Sequence, residues 1–201
     1  MEKAKVYFTK DISSDGLIKI YEALGVELTG NIGIKVSTGE RGSKGYLKAS
    51  LIKPLVDKLN GTIIECNTAY PGARNDAIEH MQVAKEHGFV DMGQGVEIMD
   101  GIGEFKIPTR ENSKHLKYDL IGEGFKKYDS ILNLAHGKGH AMGGFGANLK
   151  TNLLVLHLVM EKPTFIAVVK LKILINVGLQ NMNKKTLSNQ WLKQQQQLLI
   201  T

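Results

Sequence analysis

Cysteine is almost absent from this 201-residue chain, with Cys66 standing alone. A single thiol closes no internal disulfide, so a disulfide-stapled scaffold is excluded and a reducing, cytoplasmic setting is expected. The charged N-terminus, MEKAKVYFTKDISS, carries no apolar core of a secretory signal. Long hydrophobic runs are lacking too. The longest, Phe165 to Leu179, is cut by Lys170 and Lys172, short of the roughly 18 uncharged residues a membrane span needs. Acidic residues nearly vanish from the tail: residues 151–201 hold six Lys or Arg against Glu161 alone, whereas residues 1–150 hold 20 basic and 19 acidic residues. The formal charge of +6 therefore describes the tail. The body has no basic excess, which argues against a nucleic-acid partner. A GxxxxGK[ST] phosphate loop is also missing.

What is present reads as alternating strands and helices. AKVYF (4–8) and IGIKVS (32–37) have strand character, the second nearly all apolar. Between them, Ser13 or Ser14 caps a helix with Leu17, Ile20, Tyr21 and Leu24 on one face, ended by Gly25. Leu47 to Leu59 is a second amphipathic helix, with Pro54 marking a start or kink. TIIEC (62–66) is a strand after the Asn60-Gly61 turn, and a helix from about Asp76 to His87 is closed by Gly88. VEIMD (96–100), EFKIP (104–108) and KYDLI (117–121) are short strands, the last two able to pair as a hairpin or side ribbon. Phe125 to Tyr128 reads as a helical turn. SILNLAH (130–136) is a buried strand leading into a Gly-rich loop, GKGHAMGGFGA. This order predicts an α/β fold: a mostly parallel, Rossmann-like sheet with helices on both faces and a small side β-ribbon.

The tail breaks the pattern. Residues 151–201 contain no Asp and keep no clean 2.0 or 3.6 period. The segment LVLHLVMEKPTFIAVVK, back-translated with permitted codons and re-read two bases into its first codon, yields GIASSNGKAYIHSGGK. The later tail behaves likewise in the same frame, giving a charge-balanced, helix-like sequence. We therefore expect residues 1–150 to be the N-terminal part of an α/β domain, and 151–201 to be an aberrant, frameshifted tail. A poorly ordered basic extension is the plainer alternative.

Ligands of open parallel sheets bind beyond the carboxyl ends of the strands. The residues at those ends are polar: Ser37, Thr38, Gly39 and Glu40; Glu65, Cys66, Asn67 and Thr68; Asp100; His136, Lys138 and His140. His136-Gly-Lys-Gly-His140 is the densest group. Its imidazoles could ligate a metal, with Cys66 or Glu65 from a neighbouring strand, or act in catalysis with Lys138; solvated loop residues are the bland alternative. Gly143, Gly144 and Gly146 could let backbone N–H groups meet an anion, or simply form a tight turn. Glu65, Cys66 and Asn67 are candidate ligand-binding residues. Cys66 reads first as a packed small hydrophobe and second as a nucleophile, while Asn67 and Thr68 read first as caps for the next segment. Arg74 reads as solvated ahead of an anion partner, and Glu40 and Asp100 as exposed acids ahead of ligands. His80, His87 and His115 show no constellation.

Three stretches, GTIIECNTAYPGARN, IMDGIGEFKIP and LNLAHGKGHAMGGFGANLK, resemble the bacterial and archaeal family called domain of unknown function 362. The likeness runs from about Val6 to Lys150. Its most specific part is a His-x-Lys-Gly-His stretch, glycines around a Phe, then Leu-Lys-Asn. His136, Lys138, Gly139, His140, Gly143, Gly144, Phe145, Gly146, Leu149 and Lys150 match, and Thr151 departs from the usual Asn. The resemblance implies a cytoplasmic protein linked to redox or metal chemistry, often through an iron–sulfur cluster. Such a cluster needs four thiolates, and this chain has no ligand set for one; the cofactor is left open, with a metal ion as one candidate.

Three functions are therefore expected. The first is a redox- or iron–sulfur-associated protein whose strand-end site binds a metal or an anionic small molecule. The second is a non-redox enzyme using Lys138, a His and the Gly-rich loop on a phosphate- or carboxylate-bearing substrate. The third is a truncated, non-functional product.

Overall fold

The computed structural model describes residues 6–68, 70–108, 118–140, 144–147 and 173–177. Within these, residues 107, 108, 119, 138–140, 144–146 and 173–177 are described by their backbone only. The chain order is α1 (Ser14–Ala23), β1 (Ile32–Lys35), α2 (Ala49–Leu59), β2 (Thr62–Glu65), α3 (Ala77–Glu86), β3 (Val96–Ile98), β4 (Glu104–Pro108), β5 (Tyr118–Gly122), a 3-10 helix (Glu123–Lys127), β6 (Ser130–His136), β7 (Lys138–His140), β8 (Gly144–Gly146) and β9 (Ile173–Val177).

The main sheet is all parallel, in the order β3-β2-β1-β6-β9. From β1 the chain steps outward through β2 to β3, then returns to place β6 on the other side of β1. The strand order reverses between β1 and β6, which makes that pair the switch point of the sheet. Alternate residues of each strand feed two cores. Ile34, Ile63 and Leu132 join Leu17, Ile52, Leu55 and Ala84 in one cluster, so α1, α2 and α3 cover that face. Ile64, Cys66, Met99 and Ile131 form the other, packed by Phe125 and Tyr128 around the 3-10 helix. The α/β expectation holds, with its helical cover divided unequally. The β3-to-β6 return carries the β4–β5 antiparallel ribbon and the 3-10 helix, so among the described residues the second face receives those in place of an α-helix.

Local chemistry sets these elements. Ser13 caps α1 by accepting from the Gly16 N–H, and Asp76 caps α3 by accepting from Ile78 N and Glu79 N. Pro54 lies inside α2 and has no N–H for the Ser50 carbonyl. The Ser14 hydroxyl lies 3.4 Å from that carbonyl and donates to the next one, Leu51 O, at 2.8 Å. One side chain of α1 thus tends the backbone that proline leaves open and docks the two helices.

Two expectations need correction. Val6 to Phe8 are not in a strand; Val6, Tyr7 and Phe8 are all exposed, so no core face holds them against the sheet. The Gly-rich segment after β6 is not a plain loop. Lys138–His140 and Gly144–Gly146 pair antiparallel, with Gly139 opposite Phe145. Among the described residues no helix is long and apolar enough to cross a membrane.

A buried charge network at the carboxyl edge of the sheet

β1 and β2 are four-residue strands with apolar interiors, yet each ends on a charge, Lys35 and Glu65. Both side chains are fully buried. Glu65 is the hub. Its Oε1 accepts from Arg74 Nη1 at 2.8 Å and lies 4.0 Å from Lys35 Nζ. Its Oε2 accepts from the Thr38 backbone N–H at 2.8 Å and from His80 Nε2 at 3.1 Å. Burial alone would raise the Glu65 pKa. The Lys35 charge, the His80 hydrogen bond and the Arg74 charge outweigh it and hold the group at about 2. Lys35 behaves oppositely. Its ammonium donates to the Val36 carbonyl at 2.5 Å, and burial outweighs the attraction of Glu65, so its pKa falls.

Arg74, on the loop between β2 and α3, joins this buried pair to the surface. Its Nη1 also reaches Ser37 Oγ at 3.4 Å. Its Nε and Nη2 both donate to Glu40 Oε1, at 3.0 and 2.5 Å, and Tyr70 OH donates to the same oxygen at 2.7 Å. The Arg74 side chain is 7% exposed and that of Glu40 40%. Although partial burial pushes Glu40 upward, its hydrogen bonds from Arg74 and Tyr70 leave its pKa below the ordinary value.

α3 closes the network from above. His80 is buried among Glu65, Thr38 Oγ1 at 3.1 Å and the Asn67 amide at 3.2 Å. Two turns on, at the C-cap of α3, His87 donates from Nδ1 to the Thr38 carbonyl at 2.7 Å and stacks on Tyr46 at 4.3 Å. Gly39 turns the chain here with φ +81°, and a Cβ on it would lie 2.4 Å from the Tyr46 ring. On the β3 side, the Asp100 carboxylate accepts from the Asn67 N–H at 3.0 and 3.1 Å, and burial raises its pKa.

The parallel sheet brings the strand-end residues to one rim: Ser37 to Glu40 after β1, Glu65 to Asn67 after β2, Asp100 after β3 and His136 at the end of β6. Glu65 and Asn67 enter the network directly. Cys66 is buried with Ile64, Met99 and Ile131, and burial raises its thiol pKa, which is the packed hydrophobe's environment. Lys138, His140, Gly144 and Gly146 are placed by their backbone in the β7–β8 pair. Gly143 and His115 lie outside the described residues. Among the described residues no group of three or more His, Cys, Asp or Glu could hold a metal ion.

The sequence reading missed several participants. Arg74 is buried and fully engaged instead of solvated, because Glu65 at the end of β2 and Glu40 on the turn after β1 both face it. His80 and His87 do form a constellation. Their signal was the α3 spacing, since His80, Val83, Ala84 and His87 recur on one helical face. Thr68 Oγ1 donates to the Tyr70 carbonyl in the segment that follows, whereas the Asn67 side chain meets His80. Lys35 was visible as the one charge inside an apolar strand.

Fold and site together define a parallel α/β domain with a charged carboxyl edge. Within that class, the chain belongs to the family described as domain of unknown function (DUF362), whose family model matches residues 32–171. That match spans the network, the β7–β8 pair and part of the tail. Neither a curated protein nor a solved structure matches the chain.

Proposed function

We propose that this protein binds an anionic small molecule at the carboxyl edge of its sheet, between the turn after β1 and the segment after β6. The supporting observation is the reversal of strand order between β1 and β6, the position where open α/β sheets take their ligands. On this reading, Glu65 and Lys35 are a fixed foundation. The polar residues beyond them are the candidates to meet the ligand: Ser37 and Arg74 from one side, His136 and the β7–β8 pair from the other. The enclosure of Cys66 by Ile64, Met99 and Ile131 favours this reading over a thiolate metal site.

Thermal melts of the purified chain with inorganic phosphate or succinate test it. A bound anion raises the melting temperature in proportion to its saturation. Lys138→Met is expected to remove most of that rise; absence of any anion effect on the wild type overturns the proposal. The redox and metal association implied by the family forms the second reading. Iron, nickel or zinc that co-purifies, and is lost in both His136→Ala and His140→Ala, would establish it instead. We also propose that residues 151–201 are read out of frame, which sequencing the gene across codons 148–153 decides.

A further inference from the structure

Three donors converge on a single oxygen of Glu40: Arg74 Nε at 3.0 Å, Arg74 Nη2 at 2.5 Å and Tyr70 OH at 2.7 Å. The other side of the guanidinium is committed, with Nη1 on the buried Glu65 at 2.8 Å. The two carboxylates differ in one respect that matters. Glu65 is fully enclosed, whereas Glu40 is 40% exposed and sits between Gly39 and Gly42, both at positive φ. Its carboxylate therefore lies at the mouth of the network, on a turn whose neighbours permit unusual backbone angles.

The charges point the same way. Lys35 and Glu65 are a buried pair of opposite sign, so the Arg74 cation is balanced by Glu40. A carboxylate arriving from solution could replace the Glu40 carboxylate without changing the net charge of the network. It would gain the side-on fork of Nε and Nη2, an arrangement that matches a planar carboxylate. The exposed Ser37 lies beside it, 3.4 Å from Nη1.

We propose that Glu40 occupies a carboxylate-binding cradle formed by Arg74 and Tyr70, and that a small carboxylic acid displaces it there. The inference deepens the anion-binding reading above, on which it rests, by naming the subsite and the ligand class. Glu40 is then an internal competitor that sets how tightly the ligand is held.

Isothermal titration with succinate, and separately with inorganic phosphate, tests this on the wild type, Glu40→Gln and Glu40→Gln/Tyr70→Phe. The neutral amide holds Arg74 less firmly than a carboxylate, so Glu40→Gln should bind succinate about tenfold tighter than the wild type. Removing the Tyr70 hydroxyl should cancel most of the gain. Tyr70→Phe in the otherwise wild-type chain should weaken succinate binding, which provides a check independent of Glu40. Unchanged or weaker succinate binding by a Glu40→Gln protein that melts as the wild type does overturns the cradle. Succinate binding that ignores Glu40 and Tyr70 also overturns the cradle, while leaving the broader anion reading standing. Failure of both anions to bind any of these proteins overturns both.

Discussion

At the scale of single residues, the dominant fact is an ion pair at the centre of the sheet whose members are satisfied unequally. Glu65 accepts three hydrogen bonds, from Thr38, Arg74 and His80; Lys35 donates to the Val36 carbonyl. Partners therefore win for the acid, and burial wins for the base. The Glu65 carboxyl titrates at about 2 in the fold against an ordinary 4.5. Its contribution is complete above about 4.5 and disappears as the pH falls through about 2. That contribution is of order 3 kcal/mol, and urea unfolding between pH 5 and pH 2 should follow it. Glu65→Gln at neutral pH leaves the buried Lys35 without its counter-charge and Arg74 with Glu40 alone, and should cost about 3–5 kcal/mol. Adding Lys35→Met should recover part of the loss, because it removes one stranded charge. Little of this pairing was legible beforehand. Glu65 was marked as a strand-end acid, but its partners come from residues 35, 38, 74 and 80, and no local pattern joins them. Arg74, in PGARN, carries every local sign of a solvated loop cation.

At the scale of elements, sequence signals worked where structure is set by neighbours along the chain. The amphipathic spacing of α1 and α2, the Gly88 turn after α3 and the β4–β5 ribbon, whose first pair is Glu104 with Gly122, all follow from patterns close along the chain. They failed where the outcome depends on what lies alongside. The 4–8 segment has strand composition, yet Val6, Tyr7 and Phe8 are exposed and join no sheet, and the Gly-rich segment after β6 pairs with itself. α3 links the two regimes, because its Asp76 cap is local while its His80 reaches the network. Asp76→Ala should therefore cost about 1 kcal/mol of stability in chemical denaturation. Ser14→Ala should cost a similar amount through the Leu51 carbonyl. If Ser14 compensates for the missing amide of Pro54, its effect should shrink in a Pro54→Ala background, which a double-mutant cycle measures.

At the scale of the whole molecule, the sheet leaves β6 beside an edge that β9 fills. β6 is buried through six of its seven residues, and Ile173–Val177 pairs with it from Leu132 to His136. An apolar segment of suitable β propensity is drawn to an open strand edge whatever its origin, so pairing by the tail is compatible with an aberrant reading frame. A chain ending at Lys150 should expose this edge and self-associate, which size-exclusion chromatography would show as a shift from one peak to larger species. One further consequence follows from Thr38. Its N–H donates to Glu65, its hydroxyl lies against His80, and its carbonyl accepts from His87. Loop amides ordinarily trade their protons with solvent within seconds. This one belongs to no helix or strand, yet in deuterated water it should keep its proton about as long as the central strands do, and release it only when the whole domain opens.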